Sequence, residues 1–212
     1  MARIPLMLRL KKRAHKDVAA VQDILVRELY NLFDEAVLHG GTAIWRCYAG
    51  NRFSEDLDVY IPRDGRRIDL LFENLEKKGF AVKKKKVGEN SLFSELELNR
   101  VSVRLEALFK KAEGHLAEYE TADGNFITVY TLTPEEFVGE KIAAYLKRLK
   151  IRDLYDIFFL LRLVRERKEV PEGLKRLIRE FKDPVDEKDL RVLIIEGITP
   201  TSAKMMEYVK RW

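Results

Sequence analysis

Residues 35–61 read EAVLHGGTAIWRCYAGNRFSEDLDVYI, and the order of the parts within this stretch decides the fold. Ala36 to His39 is a short apolar run that Gly40-Gly41 interrupts. Thr42 to Tyr48 then carries Ala43, Ile44 and Cys47 at helical spacing, and a polar loop from Gly50 to Glu55 leads into Asp56-Leu57-Asp58-Val59-Tyr60-Ile61. That last segment alternates, which predicts a strand with Asp56 and Asp58 on one face and Leu57, Val59 and Ile61 on the other. Strand, glycine turn, helix, loop and strand thus follow one another, with two carboxylates fixed side by side at the end.

Hard oxygen ligands at i and i+2 suit Mg²⁺, or Mn²⁺, which takes one or two protein carboxylates and completes its shell with water and phosphate oxygens. A Gly-Gly turn ahead of a helix exposes backbone N–H groups to a phosphate at the positive end of the helix dipole. Gly40, Gly41 and the hydroxyl of Thr42 are expected to cradle phosphate oxygens. Arg52 and Ser54, in the loop before the acids, are placed to add charge-assisted hydrogen bonds to the same anion. A lone Asp-x-Asp is more often a solvated strand face, and a lone Gly-Gly is usually only a turn. Their order and spacing, not either motif, carry the reading of a metal-nucleotide site.

The strings HGGTAIWR and NRFSEDLDVYI resemble the signature of the nucleotidyltransferase superfamily, a glycine pair followed by Asp-x-Asp. More narrowly they resemble the AbiEii/AbiGii-type toxins of type IV toxin-antitoxin systems, related to the MenT toxins. About 90 residues downstream, KIAAYLKRLKIRDLYDI is similar to that branch's second signature, a helical Lys followed by an Arg-Asp-x-Tyr-Asp run. The resemblance covers roughly residues 35–165. It implies an α+β nucleotidyltransferase fold in which a core with a small mixed β-sheet, residues 1–130, is followed by a C-terminal helical bundle, residues 131–212, with the active site in the cleft between them.

The resemblance also implies roles. Asp56, Asp58 and a third carboxylate, Glu106, would hold the metal, and Glu106 would prepare the attacking hydroxyl. Lys141 would contact the nucleotide phosphates, and Asp153 would complete the site, with Arg152 and Asp156 as the next candidates for that role. The spacing does not choose between Asp153 and Asp156 as the essential acid. Lys141, Tyr145 and Arg148 do fall on one helix face, at i, i+4 and i+7. Read from the residues alone, these are equally an ion-paired helix surface, and Glu106 is equally an exposed strand glutamate. The implied reaction moves a nucleoside monophosphate from an NTP to an acceptor hydroxyl. The acceptor class is RNA, the tRNA 3′ end, and the implied partner is a cognate antitoxin. The alternatives are a protein or small-molecule acceptor with the same chemistry, or a nucleotide-binding regulator without turnover.

Composition sets the outer bounds. A chain of 212 residues with 46% hydrophobic residues can bury a sizeable core. No run approaches the roughly 18 uncharged apolar residues of a membrane span, and the N-terminal segment has arginines within its short apolar run, so a cytoplasmic protein with no membrane partner is expected. Cys47 is the single cysteine, which excludes an internal disulfide and, with three histidines, argues against zinc. Charged residues make up 35% of the chain, rich in Lys, Arg and Glu, a composition that suggests a thermophilic source. The net charge of +5 permits an anionic partner such as a nucleotide or RNA.

The remaining elements follow from periodicity. Residues 1–14 read as a basic arm, and Asp17 to Phe33 as an amphipathic helix with Val18, Val21, Ile24, Leu25, Leu29 and Leu32 apolar. A helix with Ile68, Leu71, Phe72 and Leu75 ends at Gly79. Phe80 to Val87, Ser91 to Leu98 and Val101 to Phe109 read as antiparallel strands. The lysine run Lys83 to Lys86 cannot all face one way, which marks an edge strand or an RNA-facing surface. Residues 110–130 read as a connection containing one short strand from Phe126 to Tyr130. Thr133, Pro134 and Glu136 form a capping box that starts a helical region running toward Leu163, and further helices are expected around 174–181, 188–196 and after Thr201.

Overall fold

The computed structural model describes residues 4–166, 168 and 170–212, so the first three residues of the basic arm lie outside the described residues. The described chain divides into two compact units. The first comprises the residues up to Ala49 with Phe53–Thr131, and the second comprises Gly50–Arg52 with Leu132–Trp212.

The first unit is built on the apolar stripe that predicts its long helix. A short helix α1 (Leu6–Arg9) precedes α2 (Arg13–Leu32), whose Val21, Leu25, Val26 and Leu29 are buried. The helix starts earlier than the stripe suggests, because its first turn carries charged, exposed residues. After β1 (Val37–His39) the chain enters α3 (Gly40–Cys47) directly, so that both glycines belong to the first turn of the helix. β2 (Leu57–Ile61) follows the polar loop, and Asp56 stands one residue ahead of it. Asp64 caps α4 (Gly65–Lys77) by accepting from the Arg67 N–H, while Ile68, Leu71, Phe72 and Leu75 are buried.

Next come β3 (Ala81–Val87), β4 (Ser91–Leu98) and β5 (Val101–Phe109), then β6 (His115–Glu120) and β7 (Phe126–Thr131). Among the described residues they form a seven-stranded sheet in the order β3-β4-β5-β2-β1-β7-β6. The sheet is mixed: β2 runs parallel to β5 and β1 parallel to β7, and the other neighbours are antiparallel. β3 is an edge strand, as its lysines suggest. The β6 strand departs from the expected connection. Its Leu116 is 63% exposed while Glu120 is buried, an inverted polarity that hides a strand from any alternation of apolar residues.

Glu120 is buried because its carboxylate accepts from Arg9 of α1 at 2.5 Å, and other bonds in the interior of this unit are ionic as well. Arg46 on α3, 1% exposed, donates to the Asp23 carboxylate on α2 and, through Nε, to the Glu120 carbonyl at 2.6 Å. Asp23 also accepts from the Tyr119 hydroxyl at 3.2 Å and the Ala122 N–H at 2.7 Å. These bonds tie α2, α3 and the end of β6 together where apolar packing alone would not specify their register.

The second unit is helical. Thr133 and Glu136 form the expected capping box at the start of α5 (Pro134–Arg148). The helical region does not run through: Leu149 adopts φ 52°, ending α5, and α6 (Ile151–Leu160) begins two residues later. α7 (Pro171–Glu180) and α9 (Ser202–Arg211), the latter capped by Thr201, complete the bundle. Around 188–196 a 3₁₀ turn and the four-residue α8 (Leu190–Leu193) replace the expected helix. Phe137, Ile142, Leu154, Ile157, Leu177 and Met205 fill the core. No helix among the described residues is long and apolar enough to cross a membrane.

Replacing Arg46 by Ala leaves the Asp23 carboxylate in the interior without its cation. We expect a loss of about 3 to 5 kcal/mol in urea unfolding. A loss below about 1 kcal/mol would show that the pair is solvated and that the packing around it sets the register.

Candidate active site

The carboxylates sit on one face of the sheet. In β2 the core side is taken by Leu57, Val59 and Ile61, all buried, so Asp58 projects to the other side. The pairing places His39 of β1 opposite Asp58, and Asp58 opposite Glu106 of β5. Adjacent strands are about 4.8 Å apart, so the two carboxylates are cross-strand neighbours. His39 in turn stacks on Tyr60 at 3.9 Å between ring centroids.

Asp58 also lies against the start of α3. A Cβ built on Gly40 would stand 1.9 Å from Asp58 Oδ2, and Gly40 has φ 71°, a conformation in which L side chains are strained. Glycine is therefore required twice over, by conformation and by the carboxylate resting on its Cα. The result brings an acid to the N-terminal turn of a helix without a side chain between them.

Asp56 occupies a second row. Its Oδ1 accepts from Arg104 Nε of β5 at 2.7 Å, in a pair whose arginine is 48% exposed. Its carbonyl accepts from the Thr42 hydroxyl, and Thr42 is fully buried. The hydroxyl expected to face phosphate thus ties α3 to the loop before β2. Gln22 of α2 donates to the carbonyls of Ser54 and Glu55, both at 3.0 Å, so the loop that delivers the acids is pinned from two helices.

The other expected residues gather in the helical unit. Lys141, on α5 and 6% exposed, is 2.8 Å from Asp156 Oδ2 and 3.6 Å from Asp153 Oδ1, both acids on α6. Arg52 grips Asp156 with two parallel bonds of 2.8 Å, and Arg148 grips Asp153 with bonds of 2.6 and 2.7 Å. Arg52 reaches Asp156 because its short segment is held in this unit by a bridge to Ile194 and by the Ile195 N–H donating to the Asn51 carbonyl at 2.8 Å. Lys141 is therefore an ordered cation shared by two carboxylates, not a mobile surface charge. Burial pushes the Asp156 carboxyl up, but Arg52 and Lys141 together outweigh it and hold the group below the usual carboxylate range. Burial likewise drives the Cys47 thiol up to about 12, which leaves it an inert small side chain.

The structure thus joins Gly40, Asp58 and Glu106 in one place, with Gly41 buried beside them and Asp56 in the adjoining row, and Lys141, Arg148, Asp153, Asp156 and Arg52 in another. Arg104 and His39 carry no role in the sequence reading, although the alternation of β5 already puts Arg104 on the face of Glu106. Among the described residues no three of the His, Cys, Asp and Glu side chains stand close enough to form a ready-made metal cage. The donor set still fits a magnesium-type ion, which is satisfied by one or two protein carboxylates with phosphate and water oxygens.

The model of the AbiEii nucleotidyl transferase toxin of type IV toxin-antitoxin systems matches residues 23–204. The chain belongs to the AbiEii nucleotidyltransferase toxin family. Two solved structures share the fold of this AbiEii-family chain. The MenT4 nucleotidyltransferase toxin of Mycobacterium tuberculosis is 18% identical with a TM-score of 0.64, covering 94% of this chain and 85% of its own. JHP933 of Helicobacter pylori is 19% identical with a TM-score of 0.65, covering 95% and 92%. Curated proteins gave no match. The α+β fold with its mixed sheet is that of the nucleotidyltransferase toxins.

Two outcomes follow from this AbiEii-family geometry. Gly40→Ala should destabilise the protein by about 1 to 3 kcal/mol through its backbone conformation and the collision with Asp58. In an Asp58→Ala background the same change should cost about 1 kcal/mol less; strict additivity in a thermal double-mutant cycle would remove the contact from the argument. Asp156 has a depressed folded pKa, so its contribution to stability is complete above its unfolded value of about 3.9 and fades as the pH falls through the folded value. Asp156→Asn should lower stability at neutral pH by about 3 kcal/mol and flatten the decline below about pH 4, a difference that melting curves across that range would show.

Proposed function

We propose that this AbiEii-family protein transfers a nucleoside monophosphate from an NTP to a hydroxyl at the 3′ end of an RNA, with tRNA as the acceptor class, and that this reaction is its toxic activity. The observation that supports the reading best is the direct cross-strand pairing of Asp58 with Glu106, with Asp58 laid against the bare backbone of Gly40. The backbone of Gly40 and Gly41 is assigned to the phosphates, which helix N-termini accommodate without a side chain. The acceptor oxygen attacks the α-phosphorus, the bond to the β-phosphate oxygen breaks, and pyrophosphate leaves. Glu106 takes the proton of the attacking hydroxyl, which places a base on the strand beside Asp58.

Asp58 and Glu106, with Asp56 once it exchanges Arg104 for the ion, are the residues we assign to a magnesium or manganese ion. When bound, such an ion supplies Lewis-acid neutralisation of the triphosphate. In the helical unit Lys141 is the residue we assign to nucleotide phosphates. Its cluster holds three cations, Lys141, Arg52 and Arg148, against two carboxylates, Asp153 and Asp156, which leaves positive charge for an anion. Asp153 and Asp156 then divide one duty, each orienting a different arginine while both hold Lys141. A cognate antitoxin is the protein partner that goes with this reading.

The test is incubation with Mg²⁺, each α-labelled NTP in turn and total tRNA. Label should enter RNA with the intact protein and fall by about a hundredfold or more with Asp58→Ala. Tight Mg²⁺-dependent NTP binding with no label in RNA would transfer the chemistry to another acceptor.

A further inference from the structure

We propose that Phe93, Lys84 and Lys86 form a platform on the open face of the sheet that holds the single-stranded end of the RNA acceptor, delivering its terminal hydroxyl to Asp58 and Glu106. The proposal rests on the RNA-acceptor reading given above and names the surface that would carry it.

The register places these residues. Lys86 of β3 pairs with Phe93 of β4, Phe93 pairs with Glu106 of β5, and Glu106 pairs with Asp58 of β2. One row across four strands therefore runs from a lysine through an aromatic ring to the two carboxylates. Phe93 and Asp58 are two strand spacings apart, about 10 Å.

Phe93 does not belong to the core side of its strand. The core side of β4 is taken by Leu92, Ser94 and Leu96, all buried, so Phe93 lies on the side that carries Glu95 and Glu97. A half-exposed aromatic beside lysines is the arrangement that stacks an unpaired base while cations hold its phosphate.

The four lysines divide in a way that fits. A register shift between Val82 and Lys84 sets Lys83 apart from the regular pairing, and it meets Glu97 at 3.0 Å. Lys85 turns to the other side, over the Phe72 ring at 4.3 Å, and bonds Asp69 at 2.9 Å. Lys84 stands over the Phe93 ring at 5.1 Å. Among the described residues neither Lys84 nor Lys86 has a carboxylate partner. With Gly88, Ser91 and Phe93 they line a hollow of about 340 Å³. The adjoining row carries Glu95 between Lys84 and Arg104, so the polyanion's path follows the row of Lys86 and Phe93, which Lys84 reaches by leaning over the Phe93 ring. Lysines serving only to protect an edge strand would need neither the ring nor the hollow.

The experiment uses the full chain and a short single-stranded RNA labelled at its 5′ end, read by fluorescence anisotropy and by transfer kinetics. Phe93→Leu keeps apolar bulk and removes the aromatic face. It should weaken RNA binding about tenfold and raise the RNA KM to match, with kcat and the NTP KM within about twofold of the intact protein. Phe93→Tyr should restore binding, and Lys86→Ala should lower the slope of log affinity against log salt by about 0.7. Unchanged RNA binding in Phe93→Leu and Lys86→Ala, in a protein that labels RNA, overturns the platform and leaves the acceptor reading standing. A changed NTP KM in place of the RNA KM also overturns it. An intact protein that neither binds nor labels RNA removes both.

Discussion

The contact on which the candidate site depends is the one between a carboxylate and a residue with no side chain. Asp58 Oδ2 occupies the space that a Cβ on Gly40 would need, and Gly40 turns through a positive φ to begin α3. Both facts follow from the chain reversing direction between β1 and a helix while β2 runs antiparallel alongside. The strand pairing brings residue 58 opposite residue 39, so the first helical residue must fall beside the acid. Once that is fixed, Thr42 is carried inward to hold the Asp56 carbonyl, and the loop before β2 has no freedom to move the acids elsewhere.

The two units solve the same electrostatic problem with different results. Each buries an aspartate against an arginine, Asp23 with Arg46 and Asp156 with Arg52. Burial pushes both carboxyls up. For Asp23 the single arginine and its hydrogen bonds do not recover the loss, and the group stays above the usual range. Asp156 meets Lys141 as well as a bidentate arginine, and the second cation reverses the sign. Asp23 is accordingly a fastening within a core, whereas Asp156 belongs to a cluster that carries excess positive charge.

Much of this was legible in the sequence because strand alternation and glycine placement are strictly local. Asp56 and Asp58, Glu106, the capping box at Thr133 and the three strands between Phe80 and Phe109 all follow from period or turn chemistry. The places where the reading differed share one cause. β6 has Leu116 outward and Glu120 inward because Arg9, distant in sequence, pairs with the Glu120 carboxylate, while Arg46 bonds its carbonyl. The break at Leu149 carries no glycine or proline to announce it, and the short segment around Arg52 belongs to the helical unit through contacts with Ile194 and Ile195. Long-range polar contacts leave no periodic trace. The resemblance named Lys141 and its acids, but only coordinates could show that Asp153 and Asp156 both lie within ion-pair distance of that lysine.

Charge content is a poor guide to where the stability of such a chain resides. Many of its ion pairs join exposed side chains, such as Arg176 with Glu180 and Lys175 with Glu172, and pairs of that kind contribute little. Among the described residues the pairs that hold elements together are the buried ones, such as Arg46 with Asp23 and Arg52 with Asp156, which join residues far apart in the sequence. On the open face of the sheet the same side chains act differently again. There Arg104 pairs with Asp56 without being buried, so the pair is screened by solvent and holds no elements together on its own. A lysine-rich edge, an aromatic ring and a pair of acids stand in one row on the side of the sheet away from the core, where Lys84 over the Phe93 ring and the cross-strand neighbours contribute only the modest energies of surface contacts. That row is the surface we assign to the RNA acceptor.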